Sequence, residues 1–160
     1  MVQCLPIWCL ALVLGQEPVV QTQFVQVAPP LPAGQPLTRS SSHPRAVVLI
    51  HGFSFWPLTK GETRAELHAY QRPNSPLVKR LSLAADVFAL AYEQTIPITE
   101  FAGLSVFRQD IQLIRELGYT EIVLVGFSAG GLIARQFVED APAGGVTKVI
   151  QVDSPNLGTA

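Results

Sequence analysis

Short apolar runs alternate with helix-like patterns between residues 46 and 160, and this alternation is the strongest structural signal in the chain. Four runs have the length and composition of buried strands: AVVLI at 46–50, DVFALAY at 86–92, EIVLV at 121–125 and KVIQV at 148–152. Continuously apolar strands are typical of a parallel sheet that is buried on both faces. The pattern therefore predicts the α/β class, with a predominantly parallel sheet covered by helices on both faces.

Helical patterns separate these runs. Apolar residues recur at three- and four-residue steps over 103–117 and so line one helix face. Gly118 follows at the position where a helix end favours a left-handed residue. A shorter helix is predicted over 75–84, with Ser75 as its N-cap. The third predicted helix covers 130–140.

The first 45 residues have a different character. The apolar stretch within 1–15 has the length of the hydrophobic region of a signal peptide and is too short to span a bilayer, which predicts a signal peptide over 1–15. A buried N-terminal strand or helix is the alternative. Residues 16–45 are rich in Pro, Gln and Ser, so they are expected to form a linker or arm, with an edge strand in VVQTQFVQV. The domain proper is then 46–160, and we expect a secreted or periplasmic protein, or a cytoplasmic one if no signal peptide is present.

Composition and charge exclude several classes of function. The 160 residues carry a formal net charge of −1 and are 48% hydrophobic, which suits one globular domain. No basic run marks a nucleic-acid surface. Both cysteines, Cys4 and Cys9, lie in the predicted signal peptide, so the mature chain would have neither a disulfide nor a cysteine-ligated metal. No metal, cofactor or protein partner is predicted.

Ser128 is the candidate nucleophile. It lies in the pattern G-x-S-x-G, flanked by Gly126 and Gly130, with a predicted strand before it and a predicted helix after it. A sharp strand-to-helix turn leaves no room for side chains two residues before or after the serine. A glycine-rich turn without chemistry and a phosphate cradle are the alternatives, and the second lacks both G-K-[ST] and G-x-G-x-x-G.

An acyl-transfer site also needs N–H donors for the oxyanion of its tetrahedral intermediate. The backbone N–H of Ala129, directly after the serine, is one candidate. The turn at His51 and Gly52, after the first apolar run, leaves the N–H of Phe53 as the second candidate. Aromatic residues in FSFWPL (53–58) form either an acyl pocket or a packed loop.

Three motifs, VVLIHGF, LVGFSAGGLIAR and VIQVDSPNLGT, together resemble the α/β-hydrolase superfamily, within it the branch of lipases and inositol deacylases. The resemblance covers about residues 46–159. It implies a serine esterase without a cofactor, acting on lipid or other small acyl esters, which would allow transient contact with a lipid surface. It also implies Ser128 as nucleophile and Phe53 and Ala129 as oxyanion donors. Many relatives have His where this chain has Phe127.

The family orders its triad as serine, acid and histidine, but His43, His51 and His68 all precede Ser128. Each of them is expected to be structural or solvated rather than the general base. Asp153, at the end of the fourth strand, is the candidate acid, with a local loop contact as the alternative. Because the family continues with further strands, the sequence predicts an incomplete hydrolase. The alternative function is therefore a non-catalytic remnant or binding module, and a peptidase or dehalogenase on the same fold ranks lower.

Overall fold

The structure is a computed structural model that describes residues 20–32, 34–53, 64–95 and 97–157. The predicted signal peptide and most of FSFWPL lie outside the described residues. Five strands and four α-helices are present in this part of the chain: β1 (Thr22–Ala28), β2 (Arg45–Ile50), α1 (Pro76–Leu81), β3 (Asp86–Tyr92), α2 (Ile98–Gly103), α3 (Ser105–Glu116), β4 (Glu121–Phe127), α4 (Ala129–Asp140) and β5 (Lys148–Val152). A 3-10 turn at Ala69–Gln71 precedes α1.

The strands form one mixed sheet in the order β1-β3-β2-β4-β5. The four strands predicted from the apolar runs are β2, β3, β4 and β5, and they are all parallel to one another. The edge strand β1 pairs antiparallel with β3. It lies inside the segment 16–45 that was predicted as a linker or arm, where an edge strand was expected. The described sheet therefore begins at Thr22, before the predicted domain boundary.

Helices cover both faces of the sheet, but unequally. The larger apolar cluster joins one face to α2, α3 and α4, with Phe107 and Phe137 among its buried side chains. The second cluster joins the other face to α1 through Val78. That face is open near β5, where a groove is lined in part by Val123 and Ile150. No helix of the described residues is long and apolar enough to cross a membrane.

Local sequence signals explain several element ends. The Ser75 side chain accepts a hydrogen bond from the Val78 amide at 3.1 Å and so caps α1 as predicted. Gly118 has φ +84° after α3, the left-handed conformation expected there. The short helix α2 was not predicted, because six residues are too few to show a helical period. The extended residue Leu104 separates α2 from α3, which begins two residues later than expected.

Candidate functional site

Ser128 lies in the turn between β4 and α4, so the strand and helix predicted on either side of it are confirmed. Its backbone has φ 49° and ψ −121°, a conformation that L-residues rarely adopt and that costs roughly 1–3 kcal/mol. The Ser128 amide donates to the carbonyl of Val152 at 2.8 Å, and its carbonyl accepts from the Gly131 amide at 3.0 Å. The surrounding backbone thus holds the strained residue in place.

The hydroxyl of Ser128 does not cap α4, although the residue occupies the N-cap position. Ser75 provides the comparison within the chain: with φ −65° and ψ 149° it has the usual extended N-cap backbone, and its hydroxyl bonds to its own helix. The left-handed backbone of Ser128 turns its side chain away from that arrangement. The hydroxyl is therefore left available at the N-terminal end of α4, where the helix dipole favours negative charge.

The glycines around Ser128 are required by close backbone approach. A Cβ on Gly126 would collide with the backbone of Gly130 and Gly131. A Cβ on Gly130 would lie 2.5 Å from the carbonyl oxygens of Ile50 and His51. The steric reason that the sequence suggested for the two glycines of G-x-S-x-G is confirmed by these distances. Gly131 adds a third close approach, to the side chain of Ser154.

The turn at His51 and Gly52 packs directly against the serine. A Cβ on Gly52 would lie 2.8 Å from Cβ of Ser128 and 3.4 Å from its Oγ. Phe53, whose N–H is the predicted second oxyanion donor, follows this turn and has a 42% exposed side chain. Ala129, which carries the other predicted donor, is buried in the first turn of α4. The structure thus brings the two predicted donor segments to the same end of the sheet as Ser128.

His51 supports the turn and is not available as a base. Its ring is buried, Nε2 accepts from the Tyr92 amide at 3.1 Å, and Nδ1 donates to the Gly52 carbonyl at 2.6 Å. Burial lowers the pKa of His51 to about 4, against a smaller raising effect from its hydrogen bond to Gly52. With one ring nitrogen donating and the other accepting, the imidazole is fixed in its neutral form. The structural interpretation of His51 is thereby supported.

A row of aromatic rings extends along this end of the sheet. The His51 ring stacks between the rings of Tyr92 and His68, and its centroid lies 4.3 Å from the centroid of each. The rings of Tyr70 and His68 form an edge-to-face pair. The Tyr70 ring also packs on that of Phe127, with 4.4 Å between ring centroids. His68, which directly precedes the 3-10 turn, is therefore packed into this row at the same end of the sheet as Ser128, and burial lowers its pKa.

Gln71 attaches the aromatic row to the sheet. Its fully buried side chain donates to the carbonyls of Leu49 and Leu90, both at 3.0 Å, and accepts from the amide of His68 at 2.9 Å. The single side chain therefore links the chain before α1 to two neighbouring strands. Nothing in the sequence indicated this role, because Gln71 lies in a loop-like connection that contains Pro and Asn, where a glutamine is ordinary.

Asp153, the candidate acid, follows β5. In the register of the two strands Val152 lies opposite Phe127, so Asp153 is next to Ser128 at the carboxyl ends of β4 and β5. Asp153 is exposed and has φ 53°. The loop after it is joined to α4 through Gln151 in β5, whose Nε2 donates to the Gly131 carbonyl at 2.9 Å and to Oδ1 of Asn156 at 3.0 Å.

His43 lies at the opposite end of the sheet from Ser128. Its Nδ1 is 2.9 Å from Oδ1 of Asp86, the first residue of β3. A seven-residue strand rises by about 3.3 Å per residue, which separates this end from the Ser128 end by roughly 20 Å. His43 therefore belongs to a polar cluster around Asp86 and not to the candidate site. A lone aspartate before an apolar strand is the only sequence signal of that cluster.

The described residues contain no cluster of three or more His, Cys, Asp or Glu side chains that could hold a metal ion. What the described site does contain is a serine in a strained turn, the two backbone segments that carry the predicted N–H donors and an acidic residue at the next strand end. These groups suit nucleophilic attack on a carbonyl carbon with stabilisation of the resulting oxyanion.

Comparison with known proteins agrees with this arrangement. Residues 47–158 match the alpha/beta hydrolase family, a span that begins in β2 and includes the turn after it, the Ser128 turn and the loop after β5. No curated protein gives a match to the chain. Because the family match covers more than half of the sequence, the chain belongs to the alpha/beta hydrolase family.

Proposed function

We propose that the protein is a serine hydrolase that cleaves carboxylic esters, with lipid or other acyl esters as its substrates. The observation that carries the proposal is the backbone of Ser128, which is strained and leaves the hydroxyl uncommitted at the start of α4. Membership of a hydrolase family supports the general reaction type. Strain of this kind persists where the surrounding structure enforces it and is concentrated at functional sites.

In the proposed reaction Oγ of Ser128 attacks the ester carbonyl carbon, and its proton passes to a general base. The carbonyl oxygen becomes the oxyanion and accepts hydrogen bonds from the N–H groups of Phe53 and Ala129. Collapse breaks the bond to the alcohol oxygen, which takes up the proton and leaves an acyl-serine. A water molecule then attacks the acyl-serine, releases the acid and restores the serine. Asp153 is the residue proposed to orient the base.

A fluorophosphonate probe tests the assignment, because it phosphonylates an activated serine. We expect the protein to be labelled on the peptide that contains Ser128, and Ser128→Ala to abolish the labelling. Ser75→Ala is the matched control: it should lose about 1 kcal/mol of stability with its helix cap but keep the labelling. Labelling of the Ser128→Ala variant at the rate of the unaltered protein would overturn the proposal.

A binding module that retains the site without turnover is the second candidate. One observation favours it: the hydrogen bonds of His51 and His43 hold both side chains in structural roles, His51 in its turn and His43 on Asp86 at the far end of the sheet. This candidate predicts that the purified 160-residue chain does not hydrolyse short-chain p-nitrophenyl esters. A steady rate of ester hydrolysis that disappears in Ser128→Ala would exclude it.

A further inference from the structure

Strand β5 has an open edge in the part of the chain that the structure describes. It pairs with β4 on one side, and no described strand lies on its other side. The carbonyl of Val152 accepts from the Ser128 amide after β4, so Val152 directs its backbone groups toward that strand. Gln151 and Val149 lie one and three residues earlier, and because backbone groups alternate in direction along a strand, their N–H and C=O groups point outward. Such an unpaired row is a template for pairing with another strand.

The side chains along this edge are also incompletely covered. Ile150, at the centre of β5, is 43% exposed and borders the groove that includes Val123 and Val125 of β4. On the other face, Gln151 is bonded to α4 through the Gly131 carbonyl. The helix α4 therefore covers one face of the edge, while the other face presents an apolar surface. A partner that adds a strand here would extend the sheet and pack against Ile150 in the same contact.

The two ends of β5 carry opposite charges. Lys148 is the first residue of the strand and Asp153 directly follows its last residue, and both are exposed. Neither takes part in the ion pairs of the described residues. When two copies of this strand run antiparallel, the start of each lies near the end of the other, so Lys148 of each copy meets Asp153 of the other. A parallel pair would instead place like charges together, which is unfavourable.

We propose that the open edge of β5 binds a second copy of this chain, with the two strands antiparallel about a two-fold axis that passes beside Ile150. A two-fold axis perpendicular to the sheet leaves every side chain on its own face, so residues that lie opposite each other must share a face. Ile150 then lies opposite Ile150 of the second copy. Val149 lies opposite Gln151, and the outward N–H and C=O groups of these two residues bond to each other. The inference is independent of the proposed function.

The expected association is reversible. The strand β5 has five residues, and a pair of such strands with one apolar contact is smaller than a standard interface, which buries about 800 Å² on each partner. Analytical ultracentrifugation of the full chain should therefore show monomer and dimer in an equilibrium that shifts with protein concentration. A closed two-fold contact uses the edge of both copies, so no larger species is expected.

Cysteine crosslinking tests the register, in a chain whose Cys4 and Cys9 are replaced by Ser. We expect Ile150→Cys to form a disulfide-linked dimer under mild oxidation, since side chains directly opposite in an antiparallel pair have Cβ atoms about 5 Å apart. Val152→Cys is the matched control, two residues away on the same face of the strand. Its two copies would lie about 13 Å apart along the strands, which a disulfide cannot span, so no crosslink is expected.

Exchange of the two charges tests the partner. We expect Lys148→Glu and Asp153→Lys each to raise the dissociation constant of the dimer by about tenfold, because like charges then face each other at both ends of the strand pair. An equal mixture of the two variants should associate as tightly as the unaltered chain, since every charge meets its opposite again. Circular dichroism first establishes that each variant is folded. The measurement is of association alone, so it does not depend on the role proposed for Asp153 in catalysis.

Three results would overturn the proposal. The first is an unaltered chain that sediments as a monomer at every concentration tested, or that forms species larger than a dimer. The second is a Val152→Cys variant that crosslinks as readily as Ile150→Cys, since another register or random collision predicts that result. The third is a mixture of folded Lys148→Glu and Asp153→Lys that associates no more tightly than either variant alone. Labelling of Ser128 tests the proposed function separately, and its failure would leave the dimer unaffected.

Discussion

We expect Gly126→Ala to lose about 3 kcal/mol or more of its free energy of unfolding and to abolish labelling of Ser128. The added Cβ would overlap the backbone of Gly130 and Gly131, where α4 turns away from β4. No rotation of a side chain can relieve this overlap, because the colliding atoms are backbone atoms. The first turn of α4 must then move away from the strand, and the strained conformation of Ser128 is lost with it.

Urea unfolding measures the stability of Gly126→Ala, and the fluorophosphonate rate measures the state of its serine. Gly103→Ala is the control: this glycine ends α2, and a Cβ there would meet no atom within 4 Å. It should leave labelling unchanged and stability equal or slightly higher, since alanine is the better helix residue. A Gly126→Ala variant with the stability and labelling rate of the Gly103→Ala variant would show that the turn does not depend on close backbone approach.

Sequence patterns predicted the parts of this fold that are locally encoded. The apolar runs predicted β2 to β5 within two residues, because β2, β3 and β4 are mostly buried on both faces and β5 has the same apolar composition, so each run is recognisable without distant information. The glycines on either side of Ser128 gave the turn, because their spacing reflects contacts between adjacent elements. The antiparallel direction of β1 could not be derived in this way. It depends on pairing with β3, whose residues lie 59 to 70 positions later in the chain than their partners in β1.

Side chains that act across the fold were the least predictable. Gln71 bonds to two strands and Tyr70 packs on Phe127, and these partners are distant in sequence. His68 had no periodic pattern around it that would place it against His51. In each case the residue type is ordinary for a loop, and only the folded chain shows the contact. The candidate nucleophile was therefore visible in the sequence, whereas the groups packed around it were not.

The polar cluster at the far end of the sheet carries the second large effect. Asp86 is completely buried and accepts four hydrogen bonds: from the amide and hydroxyl of Ser40, each at 2.7 Å, from Nδ1 of His43 at 2.9 Å and from the hydroxyl of Tyr119 at 2.5 Å. These bonds attach the segment before β2 to the first residue of β3 and to the residue after Gly118. One carboxylate thus joins three parts of the chain.

We expect Asp86→Ala to lower the free energy of unfolding by at least about 3 kcal/mol, since it removes a buried carboxylate and leaves several donors without their acceptor. Burial alone would raise the pKa of Asp86, but the hydrogen bonds from Tyr119, Ser40 and His43 outweigh it and hold the pKa below its usual value. The stabilisation is therefore complete above about pH 4, where unfolded aspartates are ionised, and is lost as the pH falls through the lowered folded pKa.

Urea unfolding at about pH 7 and again below about pH 4 distinguishes the stability contributed by this cluster from that contributed by ordinary surface charges. The stability gap between the unaltered protein and Asp86→Ala should be largest near neutrality and should narrow in acid. Asp140→Ala is the control, since this exposed aspartate only accepts a hydrogen bond from Gln136 within α4 and should change stability by less than about 0.5 kcal/mol. Labelling of Ser128 should survive in the folded fraction of Asp86→Ala, because the cluster is at the other end of the strands. A gap that stays constant into acid would mean that the stabilisation does not come from the ionised carboxylate.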